Sequence, residues 1–176
     1  MAHIVIMGAG IGGMAMAYEM RAKAGKQDVV TVVSNTPKFH FVPSNPWVAV
    51  NWRKREEVEL EIAPLLKKSK IEFIATGVKR VHPEDNVLEL DDGRRIDYDY
   101  LVISTGPRLA FDEIEGLGPQ GHTQSVCNID HAMHAQGEWG QFVENPGPIV
   151  VGAVQGASCF GPAYEFAMTM ETDLRR

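Results

Sequence analysis

His3-Ile-Val-Ile-Met7-Gly8-Ala-Gly10-Ile-Gly12-Gly13 opens the chain and decides its fold class. The β-branched run His3 to Met7 has the length and continuous apolar character of a buried parallel strand. Met14-Ala-Met-Ala-Tyr-Glu-Met20 continues to Ala24 in good helix formers, and Gly25 offers a stop. Between strand and helix the glycines keep the spacing G-x-G-x-x-G. Gly8 suits a tight turn, Gly10 lets backbone approach a pyrophosphate, and Gly13 permits close packing of helix on strand. The helix start adds free N–H groups and a dipole that favours phosphate oxygens. The alternative is a plain glycine-rich turn in an α/β protein, but the spacing between a strand and a helix points to a dinucleotide.

Val29-Val-Thr-Val-Val33 reads as the second strand and completes a βαβ unit with an expected right-handed crossover. Sites of this kind usually carry Asp or Glu at the end of that strand, on the adenosine ribose. Here Ser34 and Asn35 stand there, able to hydrogen-bond but uncharged. A weaker or water-mediated hold on the ribose is expected.

Residues 35–52 hold three prolines, two tryptophans and two phenylalanines and show no helical period. Aromatic groups in such a segment pack on a flat surface or line a cavity. A helix is expected from about Glu57 to Lys68, begun or kinked near Pro64. Ile71-Glu-Phe-Ile-Ala75 reads as a third strand. Between residues 77 and 98 the period changes to short alternating runs separated by Pro83-Glu-Asp-Asn86 and Asp91-Asp-Gly93, which predicts a small antiparallel meander. Tyr100-Leu-Val-Ile-Ser104 returns to a buried strand and ends in Thr105-Gly106-Pro107. Asn128 is placed to cap a helix with Ala132, Ala135, Trp139, Phe142 and Val143 on one face.

Pro148-Ile-Val-Val-Gly152 reads as another strand, followed by a helix from Ser158 or Cys159 to about Leu174. A strand and helix with no return strand make half of a βαβ unit, so a truncated chain is expected, with a complete small domain as the other reading. The fold class is therefore α/β: a Rossmann-like βαβ fold with a small antiparallel β-meander, cut at the start of a second Rossmann-like unit. The expected divisions are 1–110, 111–147 as connecting loop and helix, and 148–176.

The chain has 176 residues, 44% hydrophobic and 23% charged, enough for a core without disulfides or a metal. Its net charge of -6 argues against nucleic acid as a partner. Arg53-Lys54-Arg55 and Lys67-Lys68 read as solvated faces. No signal peptide is visible, and no run approaches about 18 apolar residues. Two cysteines are too few for a disulfide scaffold. Neither C-x-x-C, H-E-x-x-H nor G-x-S-x-G occurs, so no metal site and no hydrolase elbow is expected.

Cys159 stands where a helix start would favour the thiolate, the nucleophilic form. A small buried cysteine filling a gap is the equal alternative. Cys127 and His131 lie four residues apart around a helix start, a spacing that puts them on one side. An imidazole there can exchange protons with a thiol, or be an ordinary solvated histidine. Glu165 lies six residues, about 1.7 turns, beyond Cys159.

Five stretches together resemble the flavoprotein disulfide reductase group, and within it the sulfide:quinone oxidoreductases: Gly8-Ala-Gly-Ile-Gly-Gly13, Phe41-Val-Pro-Ser-Asn-Pro-Trp47, Tyr98-Asp-Tyr-Leu-Val-Ile-Ser-Thr-Gly-Pro107, Ser125-Val-Cys-Asn-Ile-Asp-His131 and Gly156-Ala-Ser-Cys-Phe-Gly-Pro-Ala-Tyr-Glu165. The first and third fit many flavoproteins; the other three are more specific. The resemblance spans the whole chain as the N-terminal part of a longer protein. It implies FAD at Gly8, Ala9, Gly10, Gly12 and Gly13, with Ser34 and Asn35 at the ribose and Val78 at the adenine. Thr105, Gly106 and Pro107 would lie near the diphosphate or ribityl chain, and Pro43 and Ser44 on the flavin side. It implies that Cys159 carries sulfane sulfur, that Cys127 is auxiliary, and that His131 and Glu165 move protons. Gly152-Ala-Val-Gln-Gly156 lacks the nicotinamide spacing, consistent with a quinone acceptor.

The implied reaction takes sulfide to polysulfide or zero-valent sulfur and reduces quinone. The implied location is the membrane surface, reached through a later C-terminal part, with a homo-oligomer allowed. The fragment alone is expected to be soluble and inactive, because a third cysteine of the family is absent. The alternatives are a non-catalytic FAD- or nucleotide-binding module, or a sulfide dehydrogenase passing electrons to a cytochrome.

Overall fold

The computed structural model describes residues 1–157 and 160–176. In chain order its elements are β1 (His3–Met7), α1 (Ile11–Lys23), β2 (Val29–Ser34), β3 (Lys38–His40), α2 (Asn45–Ala49), β4 (Glu59–Glu61), α3 (Ile62–Lys68), β5 (Glu72–Ala75), β6 (Val78–His82), β7 (Val87–Leu90), β8 (Arg95–Asp97), β9 (Tyr100–Ile103), α4 (Ile129–Glu144) and α5 (Gly161–Leu174). They divide into two compact units. The first holds Met1–His40 with Glu59–Arg108, and the second holds Phe41–Val58 with Leu109–Arg176. This partition differs from the linear division expected at residues 110 and 147, because segment 41–58 packs with the later chain.

In the first unit the order β5-β2-β1-β9 makes a four-stranded sheet, parallel throughout. Side chains alternate across it. Ile6, Val30 and Val32 face a cluster with Met14 and Ala17 of α1 and Ile62 and Leu66 of α3. Val5 and Val33 instead meet Leu88 and Leu90 of β7. The sheet is therefore covered by helices on one face and by the meander on the other. Burial of both faces explains why β1 and β2 read as continuous apolar runs. The meander forms where the period changed, as the antiparallel order β6-β7-β8.

Three local expectations are corrected. The helix expected over about 57–68 begins near Pro64 rather than being kinked there, starting at Ile62 and not at Glu57, because residues 59–61 pair with β3 as an antiparallel strand. Pro64 is the third helical residue, where the first turn has no N–H bond to lose. The segment 35–52 is not wholly irregular, since it contains β3, a turn of 3₁₀ helix at Val42–Ser44, and α2. Residues 148–152 form no strand. A parallel strand is held by its neighbour's hydrogen bonds, and here Val150 is 97% exposed. The helix start expected at Ser158 or Cys159 lies outside the described residues; α5 begins at Gly161 with Phe160 as its cap.

The second unit is helical. Val48 and Ala49 of α2 pack with Ile129, Ala132 and Ala135 of α4. Asn128 caps α4 as expected, its Oδ1 accepting the His131 amide at 2.8 Å. Of the expected apolar face, Val143 turns out 40% exposed. Asp173 near the end of α5 accepts the indole N–H of Trp52 at 2.6 Å and that of Trp139 at 2.8 Å.

Leu88 is fully buried under the sheet. Leu88→Ala should cost about 2–5 kcal/mol in urea unfolding followed by circular dichroism. Leu60→Ala on β4, at a residue 55% exposed, should stay within about 0.5 kcal/mol.

Candidate functional site

Parallel strands end on one edge of their sheet. The segments that leave it at Met7, Ser34, Ala75 and Ile103 therefore gather there, where α/β sheets hold ligands. Gly8 leaves β1 with φ of 105°, and its amide donates to the Val33 carbonyl at 2.8 Å. A methyl on Gly8 would land on the Ser104 carbonyl. A methyl on Gly13 would land on the Gly8 carbonyl and come within 2.7 Å of the Ser104 hydroxyl. Gly10 and Gly12 differ, for a methyl on either meets nothing within 4 Å among the described residues. Both are exposed, whereas Gly13 and Ala9 are buried in the turn. No side chain caps the start of α1, so its first-turn amides are left for an outside acceptor. The turn is closed on its inner side and open on its outer side, a cradle fitted to a diphosphate.

The remaining residues expected around a dinucleotide are distributed as follows. Ser34 is buried, and its hydroxyl accepts the Thr36 amide at 3.3 Å; Asn35 is exposed. Val78 begins β6 and packs against the cluster of Val5, Val33, Leu88 and Leu90. Thr105, Gly106 and Pro107 are exposed beyond β9. Thr105 lies 3.0 Å from the position of a Gly8 methyl. Pro43 and Ser44 belong to the second unit, Pro43 exposed and Ser44 buried beneath the Arg53 guanidinium, which donates to it at 3.4 Å.

The second unit also carries the expected sulfur and proton residues. The Ser125 hydroxyl accepts the Cys127 amide at 3.1 Å and lies 3.3 Å from His131 Nδ1. Ser125 thus joins the two residues, a link that side-chain spacing alone does not reveal. Cys127 is exposed. Burial pushes the His131 imidazole below its ordinary value, Asp130 opposes that shift, and His134 adds to it. The Phe111 ring lies 5.4 Å from the His131 ring. The loop from Phe111 to Gly121, with Asp130, His131 and His134, lines a cavity of about 650 Å³. That loop was not singled out from the sequence, its glycines and prolines reading only as a connection. Glu165 is exposed on α5, and among the described residues no hydrogen bond joins its carboxylate to Cys127 or His131. Cys159 lies outside the described residues. Among the described residues no group of three or more His, Cys, Asp or Glu could hold a metal ion.

Residues 2–161 match the family model described as pyridine nucleotide-disulphide oxidoreductase. The chain belongs to that family. It is 41% identical over 174 residues to the sulfide-quinone reductase of Aquifex aeolicus, covering 99% of this chain and 40% of that protein. It is 26% identical to the mitochondrial sulfide:quinone oxidoreductase of Dictyostelium discoideum, over 98% of this chain and 39% of the relative. The X-ray structure of the Aquifex sulfide:quinone oxidoreductase matches with a TM-score of 0.93, over 99% of this chain and 40% of that one. The chain thus spans about 40% of the length of the relatives it matches. The comparisons bear out an α/β fold like that of flavin-linked disulphide oxidoreductases.

The depressed His131 value has a testable sign. The folded state takes up this proton less readily than the unfolded chain. Its contribution to stability is present above about pH 6.5 and is lost as the pH falls through the lower folded value. NMR titration of the His131 ring should give a midpoint below about 6.5.

Proposed function

We propose that this chain is the FAD-binding part of an oxidoreductase that oxidises sulfide to polysulfide or zero-valent sulfur and reduces quinone. The observation that carries the reading is the cradle at the end of β1, closed at Gly8 and Gly13 and open at Gly10. The 41% identity to a sulfide-quinone reductase over 99% of the chain supports the substrate class.

In this reading Gly8, Ala9, Gly10, Gly12 and Gly13 hold the diphosphate of FAD through backbone amides and the start of α1. Ser34, Asn35 and Val78 serve the adenosine half, and Thr105, Gly106 and Pro107 the diphosphate or ribityl chain. Pro43 and Ser44 serve the flavin half. When bound, FAD supplies an acceptor for two electrons. Cys159 carries sulfane sulfur, and Cys127 assists it. His131, whose burial favours the neutral imidazole, accepts the proton that a thiol or sulfide releases on becoming nucleophilic. Glu165 is a second proton carrier. Residues 148–176 begin a second Rossmann-like unit in the whole protein, whose spacing at Gly152 and Gly156 suits no nicotinamide.

Quinones are lipid-borne, so the whole protein works at a membrane surface. No helix among the described residues is long and apolar enough to cross a membrane.

Two measurements test the reading. Isothermal titration with FAD should show binding to the wild-type chain and its loss in Gly10→Val, whose side chain fills the open cradle while the helix content by circular dichroism stays unchanged. Equal affinity in a folded Gly10→Val variant would move the cofactor elsewhere. In the whole protein, stopped-flow absorbance should show sulfide-dependent flavin reduction slowed by several orders of magnitude in Cys159→Ser, with FAD still bound. Cys127→Ser should slow turnover without abolishing that reduction. A wild-type rate in Cys159→Ser would make Cys159 a packing residue.

A further inference from the structure

We infer that Asp91, on the turn between β7 and β8, supplies the carboxylate that holds the adenosine ribose. The inference rests on the dinucleotide reading of the β1 cradle. The strand that normally brings this acid, β2, ends in a buried serine and an uncharged asparagine. Its neighbour β5 pairs in parallel, with Ser34 opposite Ala75, and runs on into Thr76 and Gly77. Gly77 is where the meander meets this edge, since its carbonyl accepts the Asp91 amide at 3.0 Å.

A methyl on Gly77 would land on Asp91 Oδ2, 3.0 Å from Asp91 Cγ and 3.6 Å from Asn35 Cβ. The carboxylate thus occupies the space that glycine leaves and stands beside Asn35, at the carboxyl end of β2. Gly77 is not among the positive-φ glycines, so its bare Cα serves this close approach rather than a strained turn. Asp92, next along the same turn, is engaged by Arg94, with its Nε at 2.9 Å. Lys79, a nearby cation, pairs with Glu89 at 2.7 Å. Asp91 is exposed, and a carboxylate with two acceptor oxygens suits the vicinal hydroxyls of a ribose. A charge lost from the β2 position is thereby restored from the meander through tertiary contact.

The test compares ADP with 2′,3′-dideoxy-ADP by isothermal titration, with FAD titrated in parallel. The wild-type chain should prefer ADP by about tenfold or more, the scale of a hydrogen bond to a charged group. Asp91→Ala should erase that preference by weakening ADP and leaving the dideoxy nucleotide unchanged. Asp85→Ala, on the other meander turn, should behave as wild type. Gly77→Ala keeps the charge but displaces the carboxylate, and should also erase the preference, which guards against a folding defect peculiar to Asp91→Ala. If both variants keep the wild-type preference, Asp91 is a turn residue and the inference fails while the FAD site stands. If the wild type binds neither ADP nor FAD, the cradle reading and this inference fall together.

Discussion

The approach of Gly13 to the Gly8 carbonyl is the contact on which the first unit depends. It lets α1 start immediately beyond β1 and lie close against the sheet, with Met14 and Ala17 seated on Ile6, Val30 and Val32. Ser104 closes the same turn from β9, its amide donating to the Met7 carbonyl at 2.8 Å and its hydroxyl at 3.1 Å. Any side chain at residue 8 or 13 would strike backbone, whereas positions 10 and 12 face open space. One turn therefore serves packing on its inner side and ligand approach on its outer side. Stability and binding are set by different glycines of the same motif.

The second unit is organised around polar anchors, buried at Asn45 and half-buried at Gln136 and Asp173, rather than a sheet. Asp173 takes both indole N–H groups, so the buried Trp139 and the half-buried Trp52 leave no indole donor unpaired. Gln136 donates to the Val48 carbonyl at 2.9 Å, and Asn45 to the Val126 carbonyl at 2.8 Å. Within residues 41–58, Trp52 is thus anchored through its indole N–H, and the Arg53 guanidinium lies over the Trp47 ring at 4.5 Å. Around α4 the cap at Asn128 orients the first turn and brings His131 to Ser125, the hydroxyl that also accepts the Cys127 amide. The chemical character of that corner follows from helix capping together with partial burial of one imidazole.

Much of the fold was legible in the sequence because its signals are local. The run His3 to Met7 and the glycine spacing specify a strand, a turn and a helix over a dozen or so consecutive residues, and the period change after Ala75 marks the meander. Asn128 announced the start of α4 in the same way. Pairing was not legible. Residues 59–61 become a strand because β3 lies opposite them, and residues 148–152 lack strand bonds because none of the described residues pairs with them. Helix capping and turn formation involve neighbours in the chain, while a strand is defined by a partner that need not be near it in sequence.

The candidate site divides along the same line. The sequence by itself determined which residues can cradle a phosphate, and which are thiols, imidazoles and carboxylates, since spacing and side-chain chemistry are written into it. Only the tertiary structure decided which of these groups stand together. It turned the Ser34 hydroxyl inward to the Thr36 amide, brought Asp91 across from the meander to Gly77, and set Ser125 beside both Cys127 and His131. The physical reason is that hydrogen bonds and steric exclusion act over a few ångströms of space, and only the packing of the folded chain decides which distant residues come within that range.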